Sequence, residues 1–412
     1  MPVSKPSVLI LGTRGIPASH GGFETFAEKL ALFLVARGWH VGVYCQSEVD
    51  EVRQRVSSKT WNGVELITVE VASRGPKATL EFDGHCVADA ARRDGVCLVL
   101  GYNGAIFLPY LRLMGRKILT NMDGIEWRRP KWSFPVRAWF WVNEWIAAWS
   151  SNRLVADHPA IADHLATRRP RAAIATIPYG GDPVRSAERR SIAPLGLEPD
   201  RYMVSIARIE PDNNILTFVE AFSRKVRGIK LAVLGDLDPR IPYHRAVMAA
   251  AGDEVIFPGG IYQSETVGAL RYHARAYCHG HTVGGTNPSL VESLWAGSAV
   301  IAHDNPYNRG TAGEGQFYFR DADCCERAIE RVLTDEVAVA AARRAALQQA
   351  ERFDWSTILE SYETELRSLG GYVQPQRRPL RAGLPAPAAS ALPARAREGA
   401  EAGLRQRAPG AR

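Results

Sequence analysis

The feature that most constrains this chain is a rhythm, in which apolar runs of four to seven residues alternate with longer amphipathic stretches from the start of the sequence. Residues 8–12 are followed by 21–38 and then 40–45, with further strand candidates at 64–69, 96–100, 117–122 and 153–156. Short apolar runs closed by turn residues suit strands buried on both faces, and the stretches between them suit crossover helices, so the pattern predicts βαβ units around a parallel sheet. The rhythm pauses at Pro178-Tyr179-Gly180-Gly181-Asp182-Pro183 and a polar, Arg-rich stretch to about Pro199, which reads as a hinge. A second series begins beyond it, with strands expected at 202–207, 230–235, 255–258, 276–278 and 299–302, and helical pattern at 324–353 and 356–369. The expected architecture is α/β with two Rossmann-like domains, residues 1–183 and 184–369, whose parallel sheets face each other across a cleft. A Pro/Ala/Arg-rich tail, 370–412, has the composition of a disordered segment.

Composition removes several function classes. The chain of 412 residues carries a net charge of +7, but eight Arg and two Glu place +6 of it in the tail, leaving the folded part nearly neutral. A nucleic-acid binder carries its basic excess on the folded surface, so no nucleic-acid partner is expected. No stretch offers about 18 uninterrupted apolar residues. The opening MPVSKPSVLILGTRGIP reads as a first buried strand rather than a leader, which predicts a cytoplasmic protein, with peripheral contact at the inner face of the plasma membrane as an option. Six cysteines without CxxC spacing are expected to be reduced.

Ligands of open α/β sheets sit beyond the carboxyl ends of strands, so residues just after strands are the candidates. The first strand runs into Gly12-Thr13-Arg14-Gly15-Ile16-Pro17-Ala18-Ser19-His20-Gly21-Gly22, a glycine-rich loop feeding a helix, where backbone N–H groups can approach an anion. A plain structural turn explains that loop equally well. After 202–207 comes Arg208-Ile209-Glu210-Pro211-Asp212-Asn213-Asn214; an arginine there is a natural fork for a diphosphate, or half of a surface pair with Glu210. After 276–278 the run His279-Gly280-His281-Thr282-Val283-Gly284-Gly285-Thr286-Asn287-Pro288-Ser289-Leu290-Val291-Glu292 opens a helix, with Glu292 in its first turns. After 117–122 come Asp123 and Glu126 among Trp127, Arg128, Arg129, Lys131 and Trp132, a mixture that suits polyhydroxylated ligands. Six of the ten tryptophans lie between Trp127 and Trp149. For Trp139 to Trp149 core packing takes half the weight, and for Trp127 and Trp132 sugar or lipid contact takes the larger share; a third reading is a patch that rests on a membrane surface, with Arg128, Arg129, Lys131 and Arg137 near headgroups. Two DxD strings, Asp236-Leu237-Asp238 and Asp321-Ala322-Asp323, are read as ordinary surface acids, and no metal is assigned.

Three strings, GTRGIPASHGGFETFAEKL, ARIEPDNNI and GHTVGGTNPSLVESLWAG, the last followed by AHDNPYNR, resemble the GT-B glycosyltransferases of family 4, and within it the bacterial rhamnosyltransferase branch. The resemblance spans about residues 7 to 365. It implies a retaining sugar transfer from a nucleotide-diphosphate donor, dTDP-rhamnose in that branch, to a cell-surface or polyprenyl-linked glycan, with no cofactor beyond the nucleotide sugar. By resemblance, Gly15, Gly21 and Gly22 would abut the donor diphosphate. Arg208 would neutralise it, with the amides near Ser289 and Leu290 and with Asn213, Gly285, Thr286 and Asn287 nearby. Glu292 matches a ribose-binding glutamate, and Asp123 with Glu126 takes the position of an acceptor-side or sugar-contacting group. The chain departs from the broad family at Asn213, where a Lys partners the Arg, and at Gly284, where a Glu stands. The rival readings are a nucleotide-sugar epimerase on the same plan and a silent sugar-nucleotide-binding or scaffold protein.

Overall fold

The computed structural model describes residues 5–18 and 21–373, so the tail expected to be disordered lies almost wholly outside the described residues, as do Ser19 and His20 of the glycine loop. The chain divides into two units, one formed by residues up to 179 together with the segment from 355, the other by 180–354.

The first unit contains β1 (Ser7–Leu11), α1 (Gly22–Ala36), β2 (His40–Glu48), β3 (Val56–Trp61), β4 (Val64–Val71), α2 (Pro76–Ala90), β5 (Val96–Leu100), α3 (Leu108–Leu113), β6 (Lys117–Asn121), α4 (Phe134–Ser150), β7 (Arg153–Ala156), α5 (Pro159–Leu165) and β8 (Ile174–Thr176). Its sheet runs β3-β4-β2-β1-β5-β6-β7-β8, parallel except for β3, which pairs antiparallel with β4. The sequence rhythm did not predict β3. Its signal is Asn62-Gly63, both at positive φ, which closes a tight hairpin between Trp61 and Val64.

The second unit contains β9 (Tyr202–Ile206), α6 (Ile215–Ser223), β10 (Lys230–Leu234), α7 (Pro242–Ala250), β11 (Val255–Gly259), α8 (Ser264–His273), β12 (Ala276–His279), α9 (Pro288–Trp295), β13 (Val300–His303), α10 (Pro306–Ala312), β14 (Phe317–Phe319), α11 (Ala322–Thr334) and α12 (Glu336–Ala350). Its six strands are parallel in the order β11-β10-β9-β12-β13-β14. Central strands β9 and β12 are buried along nearly their whole length, which places the loops after them at the middle of the sheet's carboxyl edge.

One boundary is corrected. The last helix, α13 (Trp355–Gly370), belongs to the first unit, whereas the expected partition gave 184–369 wholly to the second domain. The reason is its apolar face: Trp355, Ile358, Leu359, Tyr362 and Leu366 pack with Phe26, Leu30 and Trp39 in the core of the first unit. Tyr362 lies 4.6 Å from the Phe26 ring and accepts a 2.8 Å hydrogen bond from Asn121 Nδ2. Buried Glu363 accepts from Arg37 at 2.9 Å, from Arg367 at 2.8 Å and from Trp39 Nε1 at 3.1 Å. Helical periodicity identified this segment but carried no information about which core it completes.

Candidate active site

In the second unit the chain leaves β9 and presents Arg208, whose side chain is 69% exposed and meets Glu210 only loosely, at 3.5 Å. The turn after it is braced from below. Asn213, buried, donates from Nδ2 to the Arg208 carbonyl at 2.8 Å, and Asn214 donates to the Gly280 carbonyl at 2.7 Å. The Thr282 amide donates to the Asp212 carbonyl at 2.9 Å, so the turn after β9 and the loop after β12 form one hydrogen-bonded unit. Asn213 was expected beside the donor; its amide nitrogen instead holds the Arg208 backbone, while its Oδ1 is buried without a partner.

Helix α9 begins with Asn287 as its cap. The Asn287 side-chain oxygen accepts from the Ser289 amide at 3.0 Å and its carbonyl accepts from the Leu290 amide at 3.1 Å. The two amides expected to face a diphosphate are thus already engaged, because a capping Asn satisfies the orphan donors of its own helix. Leu290 is fully buried, Thr286 is buried, and Gly285 continues the loop from Gly284. What remains for a ligand on this helix is side chains. Ser289 Oγ lies 2.6 Å from the Tyr277 hydroxyl and accepts from Arg271 Nη2 at 2.9 Å; the same guanidinium pairs with Glu292 at 2.7 Å. Glu292 is 40% exposed at the side chain, whereas Arg271 is buried, so the carboxylate reaches solvent from a fixed anchor. Motif reading missed Arg271; the available signal was a basic residue in the last turn of α8.

A cavity of about 570 Å³ opens at the carboxyl edge of this sheet, lined by Arg208, Glu210, Leu234, Gly235, Tyr243, Tyr262 and Ser289 among others. It brings the β9 arginine and the α9 serine together; Glu292, Gly285, Thr286 and Asn287 are not part of its wall. At the end of β12 the rings of His279 and His281 stack 4.3 Å apart. Burial, with His281 and Arg271 nearby, pushes the His279 imidazole well below its ordinary value, and neither of its ring nitrogens has a partner. The aspartates of both DxD strings hold protein groups: Asp236 accepts from the Gly260 amide, Asp238 pairs with Arg240, Asp321 caps α11 and Asp323 pairs with Arg224.

In the first unit the glycine loop follows β1. Its nearest anion is the chain's own: Glu24 Oε1 accepts from the Arg14 amide at 3.1 Å and from the Thr13 hydroxyl at 3.3 Å, and Glu28 accepts from the Ala18 amide at 2.6 Å. Gly21 sits at φ 100°, a backbone conformation that residues other than glycine rarely adopt. Gly22 is the first residue of α1. Gly15 and Gly21 line a shallow cavity of about 380 Å³ with Arg14 and Glu24, so the loop expected to cradle phosphate presents a carboxylate at its centre. A second cavity, of about 200 Å³, is walled by Thr13, Arg14, Glu24, Asp83 and Asn103. Sequence reading missed Asp83, which sits on α2 and whose carboxyl is pushed up to about 7 by burial.

Asp123 and Glu126 follow β6, and neither lines these cavities. Asp123 adopts φ 51° and is pushed up to about 6, by burial and then by Glu126. Glu126 is committed to Arg129 at 2.7 Å and to Trp132 Nε1 at 3.4 Å, and its own amide donates to the Tyr102 hydroxyl at 2.8 Å. Of the tryptophans read as core, Trp139 and Trp145 are half-buried and Trp141 and Trp149 are not in the core. Trp127 and Trp132, expected to meet sugar or lipid, are tied to Glu144 and Glu126, whereas Trp141 and Trp149, expected in the core, are exposed.

With that geometry in place, comparison with known proteins gives two family matches. Residues 188–352 match the family described as glycosyl transferases group 1, and residues 5–182 match a domain of unknown function, DUF1972. An alpha-monoglucosyldiacylglycerol synthase of Streptococcus pneumoniae is 30% identical over 152 residues, 34% of this chain and 33% of that protein, so the aligned segment spans about a third of the relative. Among solved structures, sucrose-phosphate synthase from Thermosynechococcus elongatus superposes with a TM-score of 0.70 at 18% identity, covering 90% of this chain and 100% of that one. The Anabaena protein HepE, solved with UDP and glucose, gives a TM-score of 0.67 at 16% identity, covering 88% of this chain and 100% of that one. At these identities the structures establish the fold: α/β with parallel sheets, of the GT-B type.

Proposed function

We propose, starting from the match of residues 188–352 to the glycosyl transferases group 1 family, that this chain transfers a sugar from a nucleotide-diphosphate donor to a glycan or lipid-linked acceptor. The observation that carries the reading is Arg208: a largely exposed guanidinium with one loose protein partner, on the rim of the 570 Å³ cavity and braced from behind by buried Asn213. A cation held in place, with most of its hydrogen-bonding capacity unused, suits a diphosphate leaving group whose charge grows as the glycosidic bond breaks. Glu292, fixed by Arg271, supplies the acceptor for ribose hydroxyls. The carboxylates of the first unit, Glu24 and Asp83, accept from acceptor-sugar hydroxyls, and they are poorly suited to a phosphate. Retention follows by front-face displacement: the acceptor oxygen bonds to the anomeric carbon as the bond to the diphosphate breaks, and the acceptor's proton passes to the leaving phosphate oxygen.

Rhamnose carried on dTDP is the first reading of the donor, from the motif resemblance. A glucosyl donor is the second, favoured by the name of the pneumococcal relative and by the UDP and glucose held by the Anabaena structure. A thermal-shift screen with dTDP-rhamnose, UDP-glucose and GDP-sugars separates them, since a bound donor raises Tm by mass action. Turnover is then measured with and without acceptor. Transfer that requires acceptor supports the proposal; fast conversion of donor alone makes the chain an epimerase, and donor binding without turnover makes it a binding protein.

A further inference from the structure

Exposed hydrophobic side chains scattered singly over a surface carry no message, but here they are concentrated. Of the thirteen large hydrophobic residues exposed among the described residues, eight lie on or beside α3 and α4, which occupy a small part of the chain. On α4 they follow helical spacing along the outer face: Phe134, Trp141, Val142 and Trp149, the first 82% and the last 62% exposed. Leu113, 84% exposed, sits at the end of α3 with Tyr110 and Met114.

The two helices lie side by side and run in the same direction. The Ile106 amide, just before α3, donates to Asn143 at 2.8 Å, while at the other end Arg169 stacks on Trp149, donates to the Ala148 carbonyl and lies within electrostatic reach of Arg112. Their outward aromatic and aliphatic groups therefore form a single surface.

The two helices themselves expose cations and no acid; exposed Asp94, which pairs with Arg116 just past α3, lies outside them. Between residues 95 and 156 the only carboxylates are Asp123, Glu126 and Glu144. Asp123 is partly buried, Glu126 is taken by Arg129, and Glu144 is buried against His164 and Arg168. The same stretch exposes Arg112, Arg128 and Arg137. Indole rings on an outer face, cations around them and no exposed acid on either helix make the pattern of a surface that lies in the boundary layer of an anionic bilayer. No described helix is long and apolar enough to cross a membrane, so the contact would be superficial.

We propose that the outer face of α3 and α4 docks this protein onto an anionic lipid surface, with Leu113, Trp141 and Trp149 entering the headgroup layer and Arg112 and Arg137 meeting lipid phosphates. Such docking is a matter of binding alone and stands whether or not the sugar-transfer reading holds.

The test uses the full chain and sedimentation with vesicles of equal parts phosphatidylglycerol and phosphatidylcholine, against phosphatidylcholine alone. The wild type is expected to sediment with the anionic vesicles only, and less as salt is raised. A Leu113→Glu/Trp149→Glu double variant, both sites being exposed and the tail intact, is expected to keep the wild-type melting curve and to lose at least about tenfold in vesicle affinity. Arg112→Gln is expected to lose about fivefold. Vesicle binding by the double variant equal to wild type would assign the attraction elsewhere, to the tail for instance, and overturn the proposal. So would a wild type that ignores vesicles but forms concentration-dependent dimers abolished in the double variant, since the face would then be a protein interface.

Discussion

The two units share one construction rule, parallel strands with charged residues just past their carboxyl ends, yet they leave different groups open there. Past β1 and β6, and on α2 beside the first cavity, the first unit sets Glu24, Asp123 and Asp83, two of them held at raised pKa by burial. Past β9, and behind α9, the second unit sets Arg208 and Arg271, with a neutral imidazole at His279. Each cavity carries one arginine and two acids, Arg14 with Glu24 and Asp83 in the first and Arg208 with Glu210 and Asp236 in the second; the difference is that Glu24 is engaged by the Arg14 amide whereas the Arg208 guanidinium projects largely into solvent. Glycine loops alone are ambiguous for a related reason: the loop of the first unit is filled by Glu24.

The largest effect expected bears on the first unit's extent. Glu363 on α13 is buried and takes hydrogen bonds from Arg37, Arg367 and Trp39, so Glu363→Ala leaves the Arg367 guanidinium buried and unpaired. A loss of about 3–5 kcal/mol is expected, the usual cost of removing one member of a buried pair, seen in urea unfolding as destabilisation of the first unit. An unchanged midpoint would detach α13 from that core.

Arg208→Ala tests the second unit's side of the comparison. It should lower transfer by about 10²-fold, as for loss of a preorganised charge partner, while stability stays within about 0.5 kcal/mol because the side chain is largely exposed. Near-normal transfer would remove Arg208 from the diphosphate site. Smaller still is Glu292→Gln, which keeps shape and removes the charge facing Arg271; donor KM should rise by about tenfold with kcat little changed, the size of one charge-assisted hydrogen bond. A fall in kcat at constant KM would instead place Glu292 at the reacting centre.

How far sequence reached depended on the distance over which each signal acts. The βαβ rhythm is local, so β9, β10, β12 and the crossover helices could be read directly, as could the strand-end position of Arg208. The placement of α13 could not, because an amphipathic helix shows that it has an apolar face and not whose core receives it. Arg271 and Asp83 escaped for a related reason: each lies on a crossover helix, in no motif, and matters only through what folding sets beside it. Which tryptophans of α4 are exposed could not be read because a run rich in aromatics specifies a helix but not its phase: Trp141 and Trp149 face out while Asn143, Glu144 and Ala147 face in. Asn287 before Pro288 was legible as a helix start, but its consequence, that it occupies the amides near Ser289, requires the geometry.

The finest test of the comparison is the pH dependence of Asp83. Its carboxyl is pushed up from 3.8 to about 7 by burial, so between those values the folded protein keeps a proton that the unfolded chain has released. Stability must therefore fall as pH rises through that window and level off above it, the reverse of a salt-bridged carboxylate. Asp83→Asn abolishes the titration: the variant should match wild type in stability near the lower pKa and exceed it above the upper one. The gain should be on the order of 1–2 kcal/mol, a fraction of the full shift because the carboxyl is partly exposed. Denaturant midpoints measured across the window check it, and parallel curves for the two proteins would show that the residue ionises normally. Acceptor KM separates the two consequences. If Asp83 receives a sugar hydroxyl, the more stable variant should bind acceptor less well, because the amide that replaces the carboxylate presents one oxygen and a competing donor; a variant that gains stability and keeps its acceptor KM would leave the first cavity an incidental hollow and return the acceptor assignment to Asp123.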